Sequence, residues 1–106
     1  MAKMYKLVVC VPVNDADNMR KLLAELGAGQ IGNYDSASFS VKGAGRFRPL
    51  KGAKPAIGEI GKIEAVEEER IETVVEEEIL EDVVFKVRAA HPYEEPVIDV
   101  IELKNF

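Results

Sequence analysis

The sequence has one cysteine, Cys10, and one histidine, His91, in 106 residues. A lone cysteine excludes an intrachain disulfide framework and a multi-thiol metal centre. A lone histidine leaves any metal site short of the three or four protein ligands a secure site needs. Long apolar runs are missing as well: none approaches the roughly 20 residues that cross a bilayer. The most apolar stretch, Met4–Val13 (MYKLVVCVPV), is interrupted by Lys6 and Pro12. Polar Asn14-Asp15-Ala16-Asp17 follows it without a small-residue cleavage pattern. It reads as a strand and not as a signal-peptide core, so no membrane partner is expected and the expected compartment is the cytoplasm.

Positive charge is in short supply. Lys and Arg total 14 against 19 Asp and Glu, a net charge of −5. That argues against nucleic acid, whose phosphates demand a basic face. The charge is unevenly placed. Between Glu64 and Asp82 stand ten carboxylates and one cation, Arg70. Between Lys42 and Lys62 the cations Lys42, Arg46, Arg48, Lys51, Lys54 and Lys62 face a single Glu59.

What is present is a clear alternation of periods. Met4–Val13 is apolar on both faces, as suits a central strand covered on both sides. Asn14 or Asp15 can cap a helix running to about Leu26, with Met19, Leu22, Leu23 and Leu26 on one face and Gly27 as its stop. A period of two follows, with Ala37, Phe39 and Val41 against Ser36, Ser38 and Ser40, which predicts a half-buried second strand. Gly43–Gly61 holds five glycines and two prolines and predicts a long loop, although Arg46–Leu50 could extend a ribbon. A third strand is expected over about Val66–Val75. A second helix, about Glu77–Ala90, carries Ile79, Leu80, Val83, Val84 and Val87 at helical spacing. Pro92 cannot continue it, and Val97–Leu103 closes as a fourth strand.

The order β-α-β-β-α-β, with right-handed crossovers, folds into a ferredoxin-like α+β plait. This is a four-stranded antiparallel sheet with two helices on one face, and all 106 residues are expected to form a single domain. Its open face invites a cover, and a symmetric oligomer would supply one. The plait hosts many functions. RNA binding would want aromatics and basic residues on the central strands, whereas Met4–Val13 is aliphatic and Val66–Val75 acidic.

Two motifs go further. GAGRFRPLKGAKPAIGEIGKIEAVEEERIE (43–72) and AHPYEEPVIDVIEL (90–103), with GAGQIGNYDS (27–36), closely resemble the small domain inserted in many Nif-three-like (NGG-interacting-factor-three-like, YqfO-type) proteins, a domain that also occurs as a free-standing protein of about this length. The resemblance implies a CutA/PII-like ferredoxin fold that assembles as a trimer. Full-length relatives bind two metal ions in a separate, larger domain. This chain lacks the histidines for that site, so their hydrolase or cyclohydrolase activities do not transfer.

Two regions are candidate sites. In the basic loop, Arg46, Arg48, Lys51 and Lys54 could receive a small anionic ligand or a protein partner, the glycines exposing main-chain N–H groups. Alternatively the loop is a structural ribbon whose arginines pair with the acidic strand. No P-loop pattern is present. In AHPYEEP, His91 with Glu94 or Glu95 could share a divalent metal in the manner of CutA, a neighbouring subunit supplying further ligands. Structurally, His91 would cap helix carbonyls, Pro92 would stop the helix, Tyr93 would fill a gap and Pro96 would hold its predecessor extended. Asp99, amid Val97, Ile98, Val100 and Ile101, needs a donor such as Tyr93, Arg46 or Arg48 if it faces inward. Cys10 is expected to be buried and inert. Glu67–Glu69 and Glu76–Glu78 alternate across strand faces and suit solubility or pairing with Arg70 or the basic loop.

No catalytic residue is assigned. The expectation is a non-enzymatic binding or regulatory protein, with a CutA-type metal binder or an accessory subunit of a metal-dependent hydrolase as alternatives.

Overall fold

The structure, a computed structural model, describes residues 3–104. Strand β1 (Met4–Pro12) runs through a single 3-10 turn, Val13–Asp15, into helix α1 (Ala16–Glu25). Strands β2 (Phe39–Phe47) and β3 (Glu64–Glu76) form a ribbon, followed by helix α2 (Glu77–Ala90) and strand β4 (Ile98–Leu103). The sheet order is β2-β3-β1-β4 with every neighbouring pair antiparallel, which is the ferredoxin-like plait expected. The ribbon runs past the end of β1, because Pro12 pairs with Glu68 while β3 begins at Glu64. That overhang stretches the molecule to 48 × 23 × 23 Å.

The helices form where the apolar stripes predict them. Met19 and Leu23 of α1 and Val83 and Val87 of α2 are buried against Leu7, Val9 and Val11 of β1 and Ile71 and Val75 of β3. Each such aliphatic side chain contributes roughly 1.5–3 kcal/mol on burial. Truncating fully buried Ile71 to alanine would cost about 2–5 kcal/mol. Helix α1 starts at Ala16, so of the two cap candidates Asp15 stands at the N-cap position, one residue beyond Asn14. The 3-10 turn takes up Val13–Asp15, and Asp15 makes no capping hydrogen bond. Gly27 ends the helix with φ +99°, a left-handed conformation that glycine adopts without a Cβ clash.

The faces of β2 are inverted relative to expectation. Phe39 and Val41 are 67% and 50% exposed, whereas Ser40 lies beside buried Ile71 on the helix side. The helix-side neighbour of this edge strand is the polar Arg20 of α1, which donates to Ser40 Oγ at 3.1 Å. The apolar residues therefore turn to the open face. Ile101 of β4, 51% exposed, stands on the same face, since it pairs with Lys6 and so alternates with Val100, the partner of core Leu7.

Candidate functional site

The basic loop and the AHPYEEP corner meet within one chain. Beyond Phe47 the loop closes on itself: Gly61 donates its N–H to the Pro49 carbonyl at 2.7 Å, and Ala53 donates to Leu50 at 2.9 Å around Gly52. The Lys54 N–H then donates to Glu94 Oε1 at 3.0 Å, tying the loop to the corner. Between them lies a cavity of about 440 Å³, lined by Phe47, Leu50, Ile57, Tyr93 and Val97 together with Arg46 and Arg48. Glu94 and Glu95 also line it; Lys51 and Lys54 are exposed outside it.

The corner is set by His91. Its backbone N–H caps α2 on Val87 and Arg88, and its ring is buried. Nε2 lies 2.7 Å from the Cys10 carbonyl, and Nδ1 accepts the Tyr93 N–H at 3.0 Å. An amide N–H can only donate, so Nδ1 is the unprotonated nitrogen and Nε2 carries the proton. Both nitrogens are thus engaged by backbone, and the ring bonds a strand carbonyl instead of the helix carbonyls expected for it. No lone pair remains for a metal shared with Glu94 or Glu95 in this arrangement. Among the described residues, no three His, Cys, Asp or Glu side chains converge as a metal-binding group.

Tyr93 carries the corner onto the ribbon. Its ring sits 5.1 Å from His91 and 5.9 Å from Phe47, centroid to centroid. Its hydroxyl donates to Glu68 Oε2 at 2.8 Å. Burial first, then that hydrogen bond and the Glu68 charge, hold the phenol far above the ordinary tyrosine range. Gly45 makes room for this contact, since a Cβ there would overlap the Glu68 carboxylate. Pro92 is exposed past the helix end and Pro96 is half-buried just before β4.

Three other candidates stand elsewhere. Asp99 is exposed on the open sheet face, paired with Val8 across the strands, so it faces solvent rather than the interior. Cys10 is only partly buried, where desolvation and then Glu68 raise its thiol above the usual range and keep it protonated. The acidic strand pairs differently from expectation. Buried Glu69 accepts from Arg20 at 2.7 Å, and Glu72 accepts from Arg70 at 3.0 Å. Among the described residues neither Arg46 nor Arg48 forms an ion pair. Arg20, Phe47 and Glu68 were missed as participants from the sequence. Only strand alternation, which puts Glu68 and Glu69 on opposite faces, hinted that the three glutamates divide their roles.

The plait, its extended β2–β3 ribbon and the loop-to-corner cleft define a CutA-like α+β domain. The chain is 18% identical to the divalent ion tolerance protein CutA1 of Ehrlichia chaffeensis, covering 100% of this chain and 86% of that one at a TM-score of 0.67. That likeness is one of fold.

Sequence carries the assignment further: the chain matches one domain of the Nif-three-like family. It is 43% identical to a Bacillus cereus protein related to NIF3, over 98% of this chain and 26% of that one, at a TM-score of 0.84. It is 47% identical to a GTP cyclohydrolase 1 type 2 homolog of Halalkalibacterium halodurans, over 96% of this chain. It is 43% identical to the homolog of that name in Mycobacterium tuberculosis, also over 96% of this chain. The chain spans 27% of the length of both these relatives. No protein-family model matches it. Among the described residues, no helix is long and apolar enough to cross a membrane.

Proposed function

We infer that this chain is a non-enzymatic binding or regulatory domain of the cytoplasm. It self-associates through the open face of its sheet, with a trimer favoured, and receives a small anionic ligand or a partner protein at the cleft between the basic loop and the corner. The observation that carries this reading is the cleft itself. Its wall is braced by the Glu94 contact to Lys54 N–H and the Tyr93 contact to Glu68, while its arginines form no ion pair among the described residues. The exposed Phe39, Val41 and Ile101 support self-association, as burial of such a patch is a common basis for oligomers. A non-catalytic role is supported by the state of the lone histidine and the lone cysteine. The His91 imidazole is bound to backbone at both nitrogens, and the Cys10 thiol is held protonated.

The match to a quarter of proteins named GTP cyclohydrolase 1 type 2 homologs favours a second reading, an accessory domain to a metal-dependent hydrolase whose catalytic groups lie outside this sequence. Light scattering after gel filtration separates the parts. A trimer that Val41→Asp dissociates supports the open-face assembly, and a monomeric wild type overturns it. An Arg46→Ala, Arg48→Ala variant that unfolds or dissociates would make the loop structural and overturn its binding role.

A further inference from the structure

Resting on that reading of the cleft, the chemistry of its wall narrows what fits. A site built for a bare inorganic anion is small and lined by N–H groups and cations. This one is large and its walls are mostly aliphatic and aromatic, with Phe47, Leu50, Ile57 and Val97 around about 440 Å³. At about 30 Å³ for each water-sized group, it has room for roughly fifteen non-hydrogen atoms. That volume falls in the range of small-molecule pockets, which combine apolar walls with a few orienting polar groups.

The polar groups of the cleft are not equivalent. Glu68 is held by the Tyr93 hydroxyl, and Glu94 by the Lys54 N–H. The guanidiniums of Arg46 and Arg48 form no ion pair among the described residues. Two of the three carboxylates are therefore committed to the architecture, while both cations are free to meet a ligand. A neutral apolar molecule would leave those cations unused, whereas the charge on Glu95, and that which Glu68 and Glu94 keep, confines an anionic head to the two arginines.

We propose that the cleft binds a small amphipathic anion: an acyl or aromatic body in the cavity, with a carboxylate or other oxyanion head on Arg46 and Arg48. The body displaces water from apolar walls, worth about 25 cal/mol for each Å² buried. The head makes charge-assisted, forked hydrogen bonds to guanidinium.

The test uses the intact chain, with anilinonaphthalene sulfonate as a fluorescent probe and octanoate, octanol and inorganic phosphate as competitors. The expected result is saturable dye binding at about one per chain, displaced by octanoate about tenfold more tightly than by octanol or phosphate. Arg46→Gln with Arg48→Gln should remove the advantage of octanoate over octanol. Ile57→Asn, in the loop wall and away from the core, should weaken dye and octanoate together. Circular dichroism confirms that each variant is folded. Equal displacement by octanol and octanoate would overturn the role of the head. Equal displacement by phosphate and octanoate would overturn the amphipathic ligand while leaving the basic loop as an anion site. Absence of saturable binding by every probe would overturn both this proposal and the cleft as a binding place.

Discussion

Arg20 of α1 reaches Glu69 of β3 with Nη1 2.7 Å from Oε1, while its other terminal nitrogen holds Asp17 at 2.6 Å. The pair joins the helix layer to the sheet at a carboxylate only 8% exposed. Hydrogen bonds to Asp17 and then Glu69 raise the guanidinium further above its already high range, so it stays charged. Removing one partner of a buried pair costs more than the pair contributes, because the other charge is stranded. The Asp17 arm is on the surface and carries little.

Arg20→Met is therefore expected to destabilise the fold by about 1–3 kcal/mol, a value lowered because the arginine is itself partly exposed. Asp17→Ala should cost less than about 1 kcal/mol. Adding Glu69→Gln to Arg20→Met should recover part of the loss, as the neutral amide no longer needs a counter-charge. Urea denaturation of Arg20→Met, Glu69→Gln and their double mutant measures the coupling directly.

His91 is expected to act on the fold and not on metal. His91→Ala leaves the Cys10 carbonyl and the Tyr93 N–H without their ring partner and opens space beneath Tyr93. Each unsatisfied group costs about 1–3 kcal/mol, so a loss of about 2–4 kcal/mol is expected. His91→Phe, which keeps the ring volume, should lose nearly as much, because the hydrogen bonds and not the packing hold the corner. Calorimetric titration with zinc checks the other side: tight binding by the wild type that His91→Ala abolishes would contradict this role.

Tyr93 gives the chain an alkaline limit. Its phenol is raised in the folded state above an unfolded value near 10. A raised value means the folded form binds the proton more tightly, so the contribution is complete below about pH 10 and is lost as pH rises beyond it. Stability of the wild type should fall above that point, as followed by thermal melts across the alkaline range. Tyr93→Phe should flatten the decline while lowering stability at neutral pH by about 1 kcal/mol through the lost bond to Glu68. A shallower residual slope should remain from Tyr5, whose phenol is also raised, by burial first and then by its hydrogen bond to Glu77.

The helices and strand order were legible because each rests on a local signal: the stripe Ile79, Leu80, Val83, Val84, Val87, the glycine stop at Gly27, the break at Pro92. The loop was legible only in part, because Gly43–Phe47, read as its beginning, continue strand β2. The faces of β2 were not legible. Period two says that Ser40 and Val41 point to opposite sides, but which side is covered depends on where Arg20 lands, a relationship over 20 residues. The cleft was half legible. Its two motifs stood out as charge and composition, yet their contact is between Lys54 and Glu94, 40 residues apart. For the lone histidine, sequence could not show that the Cys10 carbonyl and the Tyr93 N–H engage both of its nitrogens.

Two glycines separate what the fold requires from what the cleft requires. Gly29 has φ +81°, and a Cβ there would come within 2.5 and 2.7 Å of the Ala37 backbone. Its own N–H and carbonyl are bonded to Val74 and Ala37, so the backbone cannot move away without breaking the sheet. Gly29→Ala should cost roughly 3 kcal/mol or more, by strain and clash together. At Gly45 the obstacle is the carboxylate of Glu68, the far end of a flexible side chain. Gly45→Ala should therefore turn Glu68 out of reach of the Tyr93 hydroxyl and lower stability by only about 1 kcal/mol. The released Glu68 would then compete for the arginines, so affinity at the cleft should fall in a protein that remains folded. Equal melting temperatures for Gly29→Ala and wild type, or cleft binding untouched by Gly45→Ala, would show that these contacts are not the constraints the geometry makes them.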